Sequence, residues 1–143
     1  MYNNKLGQAG QKQIKQDEGI DYNWSDSTVL VIEDDMNKYK MTEKILHSTG
    51  INILHAENGY KAIDYVHLNP QINLVLIDGN FPDISNFETT REILDVNPLL
   101  PIIAQTISNT ESFIKAGCVD YINKPVSKKS LVRKMSKYLL QNS

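Results

Sequence analysis

Short apolar runs rich in β-branched residues alternate along this chain with segments of helical periodicity, and this alternation restricts the fold more than any other feature. Residues 28–32, 74–77 and 101–104 are continuous apolar runs, typical of strands buried on both faces. Residues 51–54 are more polar and indicate an edge strand, and residues 119–122 are a fifth candidate. Strands that alternate with helices predict an α/β domain with a parallel sheet and helices on both faces.

Boundary residues mark the predicted helices between these strands. Gly50 and Gly117 end two helical patterns, because glycine adopts the left-handed backbone that closes a helix. Ser85 and Ser108, each followed three residues later by Glu, resemble capping boxes, and Ser127 is suited to cap the last helix. The predicted helices cover residues 36–49, 60–68, 85–96 and 108–116, and a last one from 127 onward.

The length of 143 residues predicts one folded domain, which we place at residues 27–142. Residues 1–26 are polar and without clear periodicity, so we interpret them as a flexible arm or linker. Trp24 stands out among the few apolar residues of this arm. We expect Trp24 to pack against the edge of the domain; a contact with a partner is the alternative.

Charge and composition exclude several classes of function. The net charge of −2 does not suit a nucleic-acid or membrane binder, and there is no run of apolar residues long enough to span a membrane. The single cysteine, Cys118, has no partner for an internal disulfide and is interpreted as a small buried residue. We expect a cytoplasmic protein. The histidines lack metal-ligand spacing, so no chemistry is assigned to them: His47, His55 and His67.

Chemically capable side chains stand where the predicted strands end. Glu33 and Asp34 follow the first strand, Asp78 the third, Thr106 the fourth and Lys124 the fifth. Ligands of open parallel sheets bind beyond the carboxyl ends of the strands, so these side chains are expected to converge there.

Such a group of side chains suits phosphoryl chemistry. Clustered carboxylates repel one another, and a hard cation such as Mg²⁺ relieves that repulsion through oxygen ligands. A carboxylate can attack phosphorus to give an aspartyl phosphate, whose oxygens then need an ammonium, a hydroxyl or a metal ion beside them. The carboxylates, the hydroxyl and the ammonium are all present at the predicted strand ends.

Four segments that carry these residues resemble the receiver domain of two-component response regulators. They are residues 29–35, 74–78, 101–106 and 120–125, and the resemblance extends over about residues 28–141. Residues 24–35 are also similar to the start of receivers in hybrid histidine kinases. The resemblance implies a flavodoxin-like, doubly wound sheet of five parallel strands in the order 2-1-3-4-5, with helices on both faces.

The resemblance also implies roles for individual residues. Asp78 matches the phosphoacceptor, and Thr106 and Lys124 match the hydroxyl and the cation that contact the phosphoryl group. Tyr121 matches an aromatic residue that swings inward when the threonine moves, and the peptide before Pro125 matches one that is often cis in the family. Mg²⁺ or Mn²⁺ would be held by four residues: Glu33, Asp34, Asp78 and, through its backbone carbonyl, Asn80.

The partners implied are a histidine kinase or a histidine phosphotransfer protein upstream and an unknown protein downstream. Beyond its own phosphorylation from small phosphodonors and its own dephosphorylation, no enzymatic activity is expected. The chain is then a stand-alone regulator or a receiver from a hybrid kinase.

Three features depart from the family pattern. Ser85 and Asn86 stand where the family usually has Asp-Gly. Ser can still cap a helix and Asn tolerates the left-handed conformation better than most residues, so we expect the loop to survive. Ile107 replaces a small residue beside the expected phosphoryl site, where it would slow access. The stretch from Thr106 to Lys124 is about four residues short, roughly one helical turn, so the fourth helix is predicted to be shortened and the usual output surface is in doubt.

Other functions remain open at this point. The shortened helix and Ile107 favour a pseudo-receiver, which would bind partners constitutively without phosphorylation. A Mg²⁺-dependent phosphatase would use a similar aspartate, but Asn80 stands where one such family has a second acid and no cap insertion is visible. A flavin site suits the same fold, although acidic strand ends would repel its phosphate.

Overall fold

Residues 22–78, 85–108 and 110–139 are described in the structure, a computed structural model. The strands are β1 (Thr28–Ile32), β2 (Asn52–Ala56), β3 (Leu74–Asp78), β4 (Ile102–Thr106) and β5 (Asp120–Asn123). The helices are α1 (Met36–Leu46), α2 (Gly59–Leu68), α3 (Ser85–Val96), α4 (Thr110–Ala116) and α5 (Lys128–Leu139), and a 3₁₀ turn, His47–Thr49, follows α1. All strand pairs are parallel, in the order β2-β1-β3-β4-β5, which confirms the predicted flavodoxin-like fold with β2 at an edge.

Alternate side chains of the central strands enter two different cores. Val29 and Val31 of β1 pack with α1 and α5, whereas Leu30 and Ile32 pack with residues of α2, α3 and α4. Strands buried on both faces need continuous apolar sequence, which explains the unbroken runs in β1, β3 and β4. The covered faces leave the strand ends as the place where polar groups collect.

The predicted helix boundaries are confirmed where a specific residue sets them. Asp35 caps α1 by accepting hydrogen bonds from the N–H groups of Asn37 and Lys38. Gly50 and Gly117 have φ angles of 75° and 121°, the left-handed region that glycine adopts without a Cβ clash. With seven residues, α4 is the shortest helix in the described part of the chain, as predicted from the missing turn.

Trp24 packs against the domain, as expected. Its side chain is buried with the α1 and α5 core, and its backbone N–H donates to the Thr49 carbonyl at 2.7 Å. Residues 1–21 of the predicted arm lie outside the described residues. The domain limits of 27 and 142 stay a prediction.

Asn86 lies in the first turn of α3, within the helix predicted for residues 85–96. The loop before this helix, residues 79–84, lies outside the described residues. Cys118 is buried, and burial raises the pKa of its thiol to about 12, which fits the predicted structural role. No helix in the described part of the chain is long and apolar enough to cross a membrane.

Candidate functional site

Acidic side chains converge where β1 and β3 end. Ile32 and Ile77 are register partners in neighbouring strands, so the residues that follow them, Glu33 and Asp78, lie side by side. Glu33, Asp34 and Asp78 each bring one carboxylate oxygen to within 4.8 Å of one another. Glu33 and Asp78 are buried, whereas Asp34 is exposed. The structure therefore brings together the three side chains that the sequence predicts as metal ligands.

Glu33 is the member whose electrostatics are most perturbed. Burial raises its pKa from 4.5 to about 7, a hydrogen bond from the Asp35 N–H offsets part of this rise, and the negative charge of Asp78 adds to it. A buried acid beside another acid is costly to ionise unless a cation lies close by. The donor set of three carboxylates fits Mg²⁺ or Mn²⁺, which prefer oxygen ligands.

Lys124 supplies one positive charge to this cluster. Its Nζ lies 2.5 Å from Asp78 Oδ1, and its side chain is 17% exposed. The Lys124–Pro125 peptide is cis, and the Lys124 N–H donates to the Thr106 carbonyl at 3.1 Å. The connection between β5 and α5 thus places the ammonium directly on the predicted phosphoacceptor.

Thr106 and Tyr121 lie on β4 and β5 but make contacts away from the acids. The buried Thr106 hydroxyl donates to the carbonyl of Ser108 and accepts from the Ser108 N–H, which ties it into its own turn. Tyr121 is 36% exposed, with Lys134 Nζ 5.8 Å from its ring centroid. Lys134 also pairs with Asp120 at 3.1 Å. Thr106 is therefore buried and hydrogen-bonded to Ser108, whereas Tyr121 is partly exposed beside Lys134.

A groove of about 480 Å³ opens beside the acids, between α1 and the ends of β4 and β5. Glu33 of the acidic cluster and Lys124, which pairs with Asp78, both line this groove. Apolar side chains form much of the remaining wall: Met41, Ile45, Ile107 and Val126. Ile107 is 70% exposed at this groove, which agrees with its predicted place beside the site.

The sequence missed two side chains that hold the acids through their backbone. Asn86 is buried, and its Nδ2 donates to the Asp78 carbonyl at 2.9 Å. His55 Nε2 lies 2.7 Å from the Glu33 carbonyl. The departure from the family pattern at residue 86 was a signal of something unusual, whereas nothing in the sequence singled out His55. Asn80, a predicted ligand, lies outside the described residues.

Known proteins with similar sequences point in one direction. The family "Response regulator receiver domain" matches residues 29–136. The polar-differentiation response regulator DivK of Brucella anthropi is 27% identical over 118 residues, which cover 78% of this chain and 95% of DivK. A cyclic di-GMP phosphodiesterase of Thermotoga maritima is 32% identical over 104 residues, 70% of this chain, and this chain spans only 27% of that enzyme's length.

A solved structure shows the same arrangement of elements. It is the receiver domain of a sensor histidine kinase from Pseudomonas aeruginosa PAO1, crystallised with a magnesium ion coordinated in its active site cleft. The two chains are 25% identical, with a TM-score of 0.72, over 79% of this chain and 97% of that one. Since the family match covers far more than half of the sequence, this protein belongs to the response regulator receiver domains, the regulatory modules of two-component signalling.

Proposed function

We propose that this receiver accepts a phosphoryl group on Asp78 with the help of Mg²⁺ or Mn²⁺, and that the modification switches a protein-binding surface. The observation that carries the proposal is the position of Lys124 Nζ, 2.5 Å from Asp78 Oδ1, beside three clustered carboxylates. In this arrangement the Asp78 carboxylate is the nucleophile, and the Lys124 ammonium pairs with it before the reaction. After the reaction, the phosphoryl oxygens would replace the carboxylate as the partner of Lys124.

The reaction follows from these positions. A carboxylate oxygen of Asp78 attacks the phosphorus of the donor, the bond from phosphorus to the donor nitrogen or oxygen breaks, and that atom keeps the electron pair. Glu33 and Asp34 would hold the metal ion with Asp78, and Asn80 would add its carbonyl by resemblance to the family. When bound, the ion neutralises charge on the phosphoryl oxygens. Lys124 then pairs with one of these oxygens.

Asp78 and Lys124 would thus take part in the phosphorylation itself, and Thr106 and Tyr121 would change position in response to it. An added charge of about −1.5 to −2 attracts hydrogen-bond donors. The Thr106 hydroxyl would leave Ser108 for a phosphoryl oxygen, and Tyr121 would move inward into the space released. The downstream partner would then distinguish two arrangements of one surface.

The phosphodonor we infer is a histidine kinase or a histidine phosphotransfer protein. The groove beside Glu33 and Lys124 has apolar walls, including Met41 and Ile45, which suit the apolar face of a protein donor. The Pseudomonas aeruginosa neighbour is the receiver domain of a sensor histidine kinase, which supports a kinase as the donor. We propose a cytoplasmic location, where the free Cys118 would stay reduced.

Intact-mass measurement after incubation with acetyl phosphate and Mg²⁺ tests the proposal. Wild type should gain one phosphoryl adduct, which a chelator or the variant Asp78→Ala abolishes. Asp95→Ala, which removes an exposed acid of α3, is the matched control and should still be modified.

The second candidate is the pseudo-receiver, and Ile107 and the short α4 favour it. It predicts neither an adduct nor binding of beryllofluoride, a mimic of the aspartyl phosphate, to the folded wild type. Beryllofluoride binding without an adduct would instead indicate a receiver that requires its own protein donor.

A further inference from the structure

The connection from β1 to α1 is held by a closed circle of contacts, which we call the turn ring: Glu33, Asp35, Tyr39 and His55. We propose that His55 and Tyr39 are positioning residues for metal binding, because they fix the backbone from which Glu33 and Asp34 reach the ion. This inference rests on the proposed function, since it assumes that the acidic cluster binds a divalent cation.

The first contact in the turn ring joins His55 to Glu33. His55 lies on the edge strand β2 opposite Val31, and its Nε2 is 2.7 Å from the Glu33 carbonyl oxygen. A carbonyl can only accept a hydrogen bond, so the geometry assigns the proton to Nε2. The Glu33 N–H donates to the Ala56 carbonyl at 3.0 Å. Adjacent residues of β2 therefore hold both backbone polar groups of Glu33, just past the end of β1.

The second contact holds the His55 ring in place. It stacks on the Tyr39 ring with centroids 3.8 Å apart and planes 5° apart. Tyr39 is buried on α1, and its hydroxyl donates to Glu43 Oε2 at 3.4 Å. A ring stacked on a buried neighbour has few other orientations available, so the direction of the Nε2–H bond is set in advance.

Asp35 closes the turn ring. The Tyr39 N–H donates to the Asp35 carbonyl at 2.9 Å, and the Asp35 N–H donates to Glu33 Oε2 at 3.1 Å. Asp34 lies between Glu33 and Asp35 in the chain, so both of its neighbours are fixed while its own carboxylate is exposed. The turn ring therefore fixes the backbone on both sides of Asp34, and it also fixes one carboxylate oxygen of Glu33.

Holding acids close together costs free energy in the absence of a cation, since Glu33 and Asp78 repel each other. A cation needs them close, because Mg²⁺ and Mn²⁺ bind best to oxygens already at coordination distance. Loss of the His55 hydrogen bond should therefore weaken metal binding more than it weakens the fold.

Titration of the purified protein with Mn²⁺, followed by the electron paramagnetic resonance of the free ion, measures this effect. His55→Ala should raise the dissociation constant about tenfold, as for other side chains that orient metal ligands. His55→Gln, whose amide can donate to the same carbonyl, should recover most of the affinity. His67→Ala, which removes an exposed histidine of α2, should bind like wild type.

A second pair of variants keeps the test decisive if His55→Ala does not fold. Tyr39→Phe and Tyr39→Leu both remove the hydrogen bond to Glu43, and they differ in the ring that stacks on His55. Tyr39→Phe should bind Mn²⁺ like wild type, and Tyr39→Leu should bind it several-fold more weakly.

The outcomes separate this inference from the proposed function. Wild-type affinity in folded His55→Ala, or equal affinity in the two Tyr39 variants, would overturn the turn ring's role and leave the metal site intact. Failure of wild type itself to bind Mn²⁺ would overturn the proposed metal site, and the positioning role with it. Circular dichroism in the presence of a chelator shows which variants are folded.

Discussion

The acidic half of the site and its switch half differ in the contacts that their side chains already make. In the acidic half, Glu33, Asp34 and Asp78 are already clustered, and Lys124 already contacts Asp78. The switch half consists of Thr106 and Tyr121. The Thr106 hydroxyl is hydrogen-bonded to the Ser108 carbonyl, and Tyr121 is partly exposed. Under the proposed function, the binding groups are preorganised, whereas Thr106 and Tyr121 make other contacts until a phosphoryl group competes for them.

The test with the largest expected effect removes the ammonium group of Lys124 from the acidic half. Lys124→Met should slow adduct formation from acetyl phosphate by about 10²–10³-fold, the usual effect of removing one preorganised stabilising group. It should also tighten Mg²⁺ binding, because the ammonium no longer occupies Asp78 Oδ1. Calorimetric titration and intact mass measure the two effects.

Lys128→Met is the matched control for Lys124→Met, since it removes the same charge from an exposed position of α5. Weaker Mg²⁺ binding in Lys124→Met would mean that Lys124 supports the acids rather than competing for them.

The second test uses the pH dependence of the acidic half without metal. The pKa of Glu33 is about 7 in the folded protein and 4.5 in the unfolded chain, so the folded state binds the proton more tightly between these values. The contribution of Glu33 to the free energy of unfolding is therefore fully present below pH 4.5 and is lost as the pH rises to about 7, by up to about 3 kcal/mol.

Urea denaturation in chelator at several pH values measures this loss. Other groups titrate in the same range, so the quantity to compare is the difference between wild type and Glu33→Gln, which cannot ionise at this position. A difference independent of pH between 4.5 and 7 would show that burial does not raise the pKa of Glu33 as described. Added Mg²⁺ should remove most of the wild-type loss, because it binds the ionised form.

The third test addresses the switch half. Lys134→Met removes the cation over the Tyr121 ring, a contact worth about 0.5–1 kcal/mol at an exposed site. If this contact holds Tyr121 outward, its loss should favour the inward form and tighten beryllofluoride binding by about two- to fivefold. Lys137→Met, an exposed lysine of the same helix, should have no such effect. Equal affinities in the two variants would remove Lys134 from the switch.

The smallest expected effect belongs to Ile107. Ile107→Ala should change the free energy of unfolding by less than about 0.5 kcal/mol, since the side chain is exposed. It should modestly raise the rate of adduct formation by widening the approach to Asp78. Leu99→Ala, which truncates another exposed apolar side chain, should leave the rate unchanged. A slower reaction in Ile107→Ala would mean that Ile107 guides the donor rather than obstructing it.

Much of the fold and the acidic half could be predicted because local pattern decides them. Buried strands need unbroken apolar runs, and parallel strands bring their carboxyl ends to the same edge of the sheet. The strand order implied by the family resemblance then makes Glu33 and Asp78 neighbours, as observed. The helix that contains Asn86 was predicted, but its hydrogen bond to the Asp78 carbonyl, eight residues earlier, was missed because it joins two different elements. His55 was missed because its role depends on the register of β2 and on a stack with α1. The orientations of Thr106 and Tyr121 are rotameric and leave no trace in sequence.

Trp24 has a spectroscopic consequence for every experiment above. It is the chain's single tryptophan, and it is buried at the amino end of the sheet, whereas the acids lie beyond the carboxyl end of β1. A five-residue strand, about 17 Å long, separates the two ends. The intrinsic fluorescence of Trp24 should therefore follow global unfolding and respond little to cations or beryllofluoride. Trp24 fluorescence can therefore serve as an internal measure of folding when ligand binding at the acidic cluster is followed by another method.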